Sequence, residues 1–175
     1  MSRWAGRALV AMLAILFVLQ IVRLRGQGLM HVGTPRGSMA PDFAGPLLAG
    51  GDRFHLAEER GHAVALVFWA PWCGPCRAEM PGVERVSRAL QQKPHTARLV
   101  AVDTEGNRDT ALQIVDRLGL TMPIVLDDGS AGAAYHVMSI PQTIIVDGAG
   151  HVAALLRGEQ SEADLMAAIE HVEHQ

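Results

Sequence analysis

The two cysteines of the chain, Cys73 and Cys76, are the residues best suited to chemistry, and only two residues separate them. Such a pair can exchange a disulfide, contribute to a metal site or form a small cross-link. A structural zinc site needs four ligands, and the sequence has no second cysteine pair. A cross-link that closes so short a loop would contribute only roughly 2 kcal/mol to stability. The spacing therefore favours thiol–disulfide redox chemistry.

The segments on either side of the cysteines predict a strand followed by a helix. Residues 63–69 form a continuous apolar run, which is typical of a strand buried on both faces. Beyond the cysteines, apolar residues recur at steps of three and four, as in an amphipathic helix: Met80, Val83, Val86 and Leu90. The N–H groups at the start of a helix stabilise a thiolate. We therefore expect Cys73 to be the exposed nucleophile and Cys76 the buried resolving thiol.

Further along the chain, predicted strands alternate with predicted helices, which is typical of an α/β fold. The strands are residues 97–103, 123–126, 143–147 and 151–157. The helices are residues 109–118, ended by Gly119, residues 130–136, and a last helix that Ser161 caps and that ends near residue 172. Residues 42–61 are irregular, although Phe54 and Leu56 indicate a short strand. We expect a central mixed β-sheet flanked by helices.

The bulk composition narrows the class of protein. The chain has 175 residues, enough for one domain and a short extension, and 49% of them are hydrophobic, so a packed core can form. The formal net charge is −3. This charge gives no basic surface for nucleic acid, so we expect no nucleic-acid partner.

The N-terminus is predicted to be a separate segment. Arg3 and Arg7 precede an apolar run over residues 8–22, and Arg23 and Arg25 follow it. A cleaved signal peptide needs a site with small residues after the apolar run, and the sequence offers none. We therefore expect an uncleaved signal anchor over residues 1–25, although cleavage remains the alternative. A Gly- and Pro-containing linker over 26–40 and one domain over 41–175 would follow.

Several motifs of this sequence resemble the thioredoxin superfamily. The segment 68–77, Phe-Trp-Ala-Pro-Trp-Cys-Gly-Pro-Cys-Arg, is similar to its active-site segment. Ile140-Pro141 is similar to its cis-proline, and Asp147-Gly148 with Gly150 to the hairpin that follows. Three further features resemble the TlpA, ResA and CcmG branch of membrane-anchored reductases: Pro41-Asp42-Phe43, Glu79-Met80-Pro81, and an extra helix–strand unit over 109–126.

The resemblance implies a function and a site. In this branch the dithiol reduces disulfides of exported proteins, including apocytochrome c during cytochrome c maturation, and a membrane thiol carrier supplies the electrons. The catalytic domain would lie on the periplasmic side of a bacterial-type inner membrane, tethered by one span. The Cys73–Cys76 disulfide would carry the redox chemistry by itself, and no metal or cofactor is expected. The residues expected to contact substrate are Trp72, Gly74, Pro75, Ile140 and Pro141.

The sequence departs from typical thioredoxins at the position of their buried aspartate, which is Val67 here. No charged neighbour is evident on the next predicted strand either. We expect Glu79, three residues after Cys76 on the helix, to take over proton transfer, because residues at this spacing share a helix face. The alternative is that Glu79 is a solvated surface residue.

Two alternatives to a reductase remain. A thioredoxin-fold copper chaperone could use Cys73, Cys76 and His136, with Met138 nearby, since soft ligands suit Cu(I). Copper-binding relatives, however, have three residues between their cysteines, and this chain has two. A thiol oxidase of the same fold is the second alternative. Gly-Pro between the cysteines, with Ile140 before Pro141, resembles the reducing thioredoxins.

Overall fold

The protein is described by a computed structural model over residues 34–93 and 97–174. The predicted anchor at residues 1–25 and the first part of the predicted linker lie outside the described residues. Within the two described ranges, no helix has the length and apolar character needed to cross a bilayer.

The described residues form seven strands and four α-helices that alternate along much of the chain. The strands are β1 (Ala44–Pro46), β2 (Arg53–His55), β3 (Val64–Trp69), β4 (Arg98–Asp103), β5 (Ile124–Leu126), β6 (Gln142–Val146) and β7 (Val152–Arg157). The helices are α1 (Gly74–Gln91), α2 (Arg108–Leu118), α3 (Ser130–Ala134) and α4 (Glu162–Glu173). A 3₁₀ turn spans Leu56–Glu59. Most predicted elements are confirmed to within two residues at their ends.

Five strands form the central sheet in the order β5-β4-β3-β6-β7. Strands β3, β4 and β5 are parallel, whereas β6 and β7 run antiparallel to their neighbours. The sheet is therefore mixed, as predicted. Strand β3 lies at its centre and all six of its residues are buried, which explains why its sequence is continuously apolar rather than alternating.

The alternating side chains of β3 divide the hydrophobic core between the two faces of the sheet. Val67 and Trp69 face the cluster that includes the buried residues of α1, α2 and α4. Leu66 and Phe68 face a second cluster, which includes Tyr135 just after α3. The predicted helix positions of α1 are all buried: Met80, Val83, Val86 and Leu90.

The ends of two helices are formed by the residues that the sequence predicts. Gly119 ends α2 with φ of 64°, in the left-handed region that glycine adopts without strain. The hydroxyl of Ser161 accepts the backbone N–H of Asp164 and so caps α4.

The chain before β3 is more ordered than the sequence indicates. Phe54 lies in β2, which pairs with the unpredicted strand β1, whereas Leu56 begins the 3₁₀ turn instead of extending a strand. The backbone N–H of Ala40 donates to Gly150, and that of Val152 donates to Ser38. The end of the predicted linker is thus hydrogen-bonded to the start of β7.

Candidate active site

The two cysteines lie where β3 gives way to α1 and are joined in a disulfide. Their Cα atoms are 5.2 Å apart. Cys73 is the N-cap of α1, and its Sγ accepts the backbone N–H of Cys76 at 3.2 Å. Pro75 occupies the first turn, where a backbone N–H would have no partner within the helix. The end of β3 therefore positions the Sγ of Cys73 at the electropositive N-terminus of α1.

The two sulfurs differ in their access to substrate. Cys76 is 1% exposed and packs in the core beneath α1. Cys73 is also largely covered, at 5% exposed, but it lines an open groove that Cys76 does not reach. The expectation that Cys73 is exposed is therefore wrong for the disulfide form.

This groove, the Cys73 groove, has a volume of about 700 Å³. It is lined by Trp72, Cys73, Gly74, Pro75, Thr104, Asp127, Gly129, Gly132, Ala133, Val137, Met138, Ser139 and Ile140. Four of the five predicted substrate-contact residues are in this lining, and Pro141 is not. The Ile140–Pro141 bond is cis, as predicted. The carbonyl oxygen of Ile140 lies 3.9 Å from the Sγ of Cys73, so this segment contacts the dithiol.

Glu79 is buried, at 4% exposed, so the alternative of a solvated surface residue is wrong. Among the described residues, neither carboxylate oxygen has a well-formed hydrogen bond. Burial raises the pKa of Glu79 to about 7, the Glu159 carboxylate adds to the rise, and the backbone N–H of Gln160 opposes it. A carboxyl that titrates near neutral pH, one helical turn from Cys76, is suited to proton transfer.

A neutral residue, Val67, occupies the position at which typical thioredoxins have a buried aspartate. Val67 is fully buried and lies in register with Ala101 on β4 and Thr143 on β6. The absence of a charged neighbour at Ala101 agrees with the sequence analysis.

Asp103, at the end of β4, is a buried acid that the sequence analysis did not single out. It lies in register with Trp69, and one carboxylate oxygen accepts the backbone N–H of Glu105 at 3.0 Å. Burial raises the pKa of Asp103 to about 6; the N–H groups of Glu105 and Gly106 lower it, and the charges of Glu105 and Asp127 raise it. The sequence did contain a signal for this residue, namely an acid at the carboxyl end of a predicted buried strand. Functional sites in open α/β sheets lie at that edge.

The ends of β4 and β5 support the inner side of the Cys73 groove. Thr104 donates to the carbonyl oxygen of Trp69 through its backbone N–H at 3.0 Å and through its hydroxyl at 3.1 Å. Asp127 accepts the backbone N–H groups of Ala131 and Gly132, each at 2.9 Å. These bonds tie the end of β3 and the start of α3 to the sheet.

The structure does not assemble the three ligands of the copper hypothesis. His136 is exposed, and it is absent from the lining of the Cys73 groove. Throughout residues 34–93 and 97–174, no three His, Cys, Asp or Glu side chains are grouped as a metal site. The geometry of Cys73, Cys76 and His136 therefore gives the copper hypothesis no support.

Comparison with known proteins agrees with this arrangement of fold and dithiol. Residues 36–155 match the AhpC/TSA family. The chain is 34% identical over 137 residues to the thioredoxin-like protein YneN of Bacillus subtilis, an alignment that covers 75% of this chain and 80% of the relative. It is 32% identical over 137 residues to the thiol-disulfide oxidoreductase ResA of Geobacillus kaustophilus, covering 78% of this chain and 77% of the relative.

A solved structure has a similar fold. A candidate protein disulfide isomerase from Bacteroides thetaiotaomicron superimposes with a TM-score of 0.73 at 30% identity, covering 83% of this chain and 96% of that protein. Both this structure and the Geobacillus relative carry names that refer to disulfide chemistry.

Proposed function

The chain belongs to the AhpC/TSA family and is a thioredoxin-like thiol–disulfide oxidoreductase, and from this premise we propose that it reduces disulfides of exported proteins. The observation that carries the proposal is the Sγ of Cys73, which caps α1 and is also the sulfur that lines the Cys73 groove. A thiolate at this place is stabilised by the helix and can meet a substrate disulfide.

The reaction begins when the Cys73 thiolate attacks one sulfur of the substrate disulfide. A Cys73–substrate disulfide forms, and the other substrate sulfur leaves as a thiolate and takes a proton from water. Cys76 then loses its proton and attacks the Sγ of Cys73. This step releases the second substrate thiolate and leaves the Cys73–Cys76 disulfide. The substrate gains two electrons, the dithiol loses two, and the two sulfurs need no further cofactor.

Glu79 is the group that we assign to the proton of Cys76. A buried thiol has a raised pKa and resolves a mixed disulfide slowly unless a base accepts its proton. Burial raises the pKa of Glu79 to about 7, so at neutral pH it is divided between the form that accepts a proton and the form that returns one. Its place one turn along α1 from Cys76 supports this role.

The substrate would contact the residues around the nucleophile. Trp72, Gly74 and Pro75 come from the loop and first turn that carry Cys73, and Ile140 presents its carbonyl oxygen to the same sulfur. Pro141 is buried and follows Ile140 through a cis peptide bond.

We place the reaction outside the cytoplasm, with residues 1–25 as an uncleaved signal anchor in a bacterial-type inner membrane, residues 26–40 as a linker and residues 41–175 as the catalytic domain. The flanking arginines and the missing cleavage site support an anchor. Exported proteins with disulfides are the proposed substrates, and the resemblance to the TlpA, ResA and CcmG branch includes apocytochrome c among them. A membrane thiol carrier would return electrons to the Cys73–Cys76 disulfide.

The reduction potential of the full chain tests the direction of electron flow. Equilibration with glutathione or dithiothreitol should give a value below about −220 mV, on the reducing side of the range for this fold. A potential near about −120 mV would mean that the protein oxidises its substrates instead.

A further inference from the structure

A second cavity lies at the end of the sheet opposite to the dithiol. Strands β3 and β4 run in parallel towards the dithiol, whereas this cavity is lined by His62, just before β3, and by the first residues of β4. Among the described residues, its lining shares none with that of the Cys73 groove. We call it the amino-end cavity, because it lies where β3 and β4 begin. Its volume of about 690 Å³ is within the range of small-molecule sites, about 300–1,000 Å³.

The lining of the amino-end cavity combines apolar residues with charges of both signs. Phe54, Leu99 and Val100 contribute to it, and all three are buried. Basic and acidic residues are equally numerous among the described lining residues, namely Arg53, Lys93 and Arg98 against Asp52, Glu58 and Glu59. Electrostatic complementarity then favours a ligand that also carries both signs of charge. A ligand with a single charge would meet groups of its own sign.

Arg98 is the cation of this lining that a neighbouring carboxylate holds in place. Its Nη1 lies 3.1 Å from Oε2 of Glu59, and the side chain of Glu59 is 14% exposed, whereas that of Arg98 is 55% exposed. A guanidinium has five N–H donors, so one that is held through a single nitrogen can still bind a carboxylate through the others. Glu58, which precedes Glu59 and is exposed, supplies a charge of the opposite sign.

We propose that the amino-end cavity binds a small zwitterion that carries an apolar group, which is the chemistry of an apolar amino acid. The carboxylate of the ligand pairs with Arg98, its ammonium group pairs with Glu58, and its side chain lies against Phe54 and Val100. A ligand that lacks either charge leaves one of these groups desolvated without a partner. Because the cavity is separate from the dithiol, this binding goes beyond disulfide reduction and does not depend on it.

Three ligands that share a phenyl group test the proposal with the full chain. Phenylalanine carries both charges, phenylpropanoate lacks the ammonium group and phenethylamine lacks the carboxylate. Isothermal titration calorimetry at pH 7 should show phenylalanine binding about tenfold more tightly than either analogue, because each analogue leaves one charged group unpaired. Backbone amide resonances should shift at Arg98 and Val100 and stay unchanged at Cys73. Equal affinities, tighter binding of an analogue, or no binding of any ligand would overturn the inference.

Two substitutions separate the charges of the cavity. Arg98→Gln should weaken phenylalanine about tenfold and leave phenethylamine unaffected, since that analogue has no carboxylate. Glu58→Gln should weaken phenylalanine similarly and leave phenylpropanoate unaffected. Arg85→Gln is the matched control, because Arg85 forms an exposed ion pair with Glu162 and does not line the cavity. Uniform weakening of all three ligands in either variant, or an equal effect of Arg85→Gln, would contradict the assignment.

A dithiol variant separates this site from the redox reaction. Cys73→Ala lacks the attacking sulfur but keeps every residue of the amino-end cavity, so it should bind phenylalanine with the affinity of the wild type. Loss of binding in this variant would place the ligand at the dithiol and refute the second site. The proposed reductase function is measured independently, by the reduction of disulfides, and stands or falls without the zwitterion.

Discussion

The Sγ of Cys73 accepts the backbone N–H of Cys76 at 3.2 Å, so one cysteine caps the helix that contains the other. The bond is available to a thiolate at Cys73 as well as to the disulfide. It supplies a charge-assisted hydrogen bond at the positive end of α1. Cys76 instead packs in the core.

The two cysteines are therefore expected to differ when they are replaced singly. Cys73→Ala should abolish turnover, because the attacking sulfur is lost. Cys76→Ser should accumulate disulfides between Cys73 and substrate, because the resolving sulfur is lost. Non-reducing gels and mass spectrometry would detect the trapped species. Alkylation of the reduced protein should modify Cys73 first, and faster modification of Cys76 would mean that the roles are reversed.

Glu79→Gln should slow the release of substrate without slowing the first attack. The amide keeps the size of the side chain but cannot accept the proton of Cys76. Mixed disulfides should accumulate, and the pH dependence near the Glu79 pKa of about 7 should disappear from the release rate. Stopped-flow kinetics from about pH 5 to 9 would measure this. Superimposable profiles for the variant and the wild type would show that another group, or water, serves Cys76.

Glu79 should also make stability depend on pH. Burial raises its pKa from 4.5 to about 7, so the folded protein holds this proton more tightly than the unfolded chain. The free energy of unfolding should therefore fall as pH rises from about 4.5 to 7. Glu79→Gln removes this loss and should be more stable than wild type at pH 8, by on the order of 2 kcal/mol, with little or no gain at pH 4. Urea denaturation at both pH values would check the difference, and an equal offset at the two would contradict it.

Glu84 should behave in the opposite way, as a structural carboxylate. Its oxygens accept the N–H and hydroxyl of Thr121 at 2.8 and 2.6 Å, the N–H of Met122 at 3.0 Å and the guanidinium of Arg88 at 2.6 Å. Although burial raises the pKa of Glu84, these hydrogen bonds outweigh it and lower the value to about 2. Its stabilisation is present above about pH 4.5 and is lost as the pH falls towards 2.

Glu84→Ala should cost about 2–4 kcal/mol of unfolding free energy at pH 7, because it leaves the N–H groups of Thr121 and Met122 without their acceptor. The matched control is Arg88→Ala. Because the Arg88 side chain is 54% exposed, its loss should cost at most about 1 kcal/mol. Urea denaturation of both variants measures the difference. Equal losses would mean that the surface ion pair, and not the buried hydrogen bonds, gives Glu84 its effect.

Gly106→Ala should damage the loop that supports the Cys73 groove. Gly106 has φ of 68°, and a Cβ atom there would overlap the carbonyl oxygen of Asp127. Gly119 is the control, since it has φ of 64° and open space around it. Gly119→Ala should cost about 1–2 kcal/mol from backbone strain alone. Gly106→Ala should cost about 1–3 kcal/mol more from the overlap. Thermal unfolding of the two variants would compare them, and similar losses would mean that the loop relaxes around the new atom.

The sequence by itself determined the dithiol and the elements that carry it. The strand before Cys73 and the helix after it depend on side chains within a few residues of one another, so their apolar pattern is visible in the sequence. The burial of Met80 and Val83 and the ends of α2 and α4 at Gly119 and Ser161 follow from the same local rules. The resemblance around Ile140-Pro141 predicted its cis bond and its approach to the dithiol.

Only the tertiary structure decided how open the site is and which acids are buried. Glu79 lies in a helix position that the sequence cannot distinguish from a solvated one, and packing near Gln160, eighty-one residues away in the chain, removes it from water. The position of Asp103 at the end of a predicted strand is visible in the sequence, but its burial follows from the pairing of β4 with β3 and β5. The Cys73 groove joins the dithiol loop to α3 and Ile140. Such burial depends on contacts between segments that are far apart in the chain. A local sequence pattern does not show which of these segments pack together.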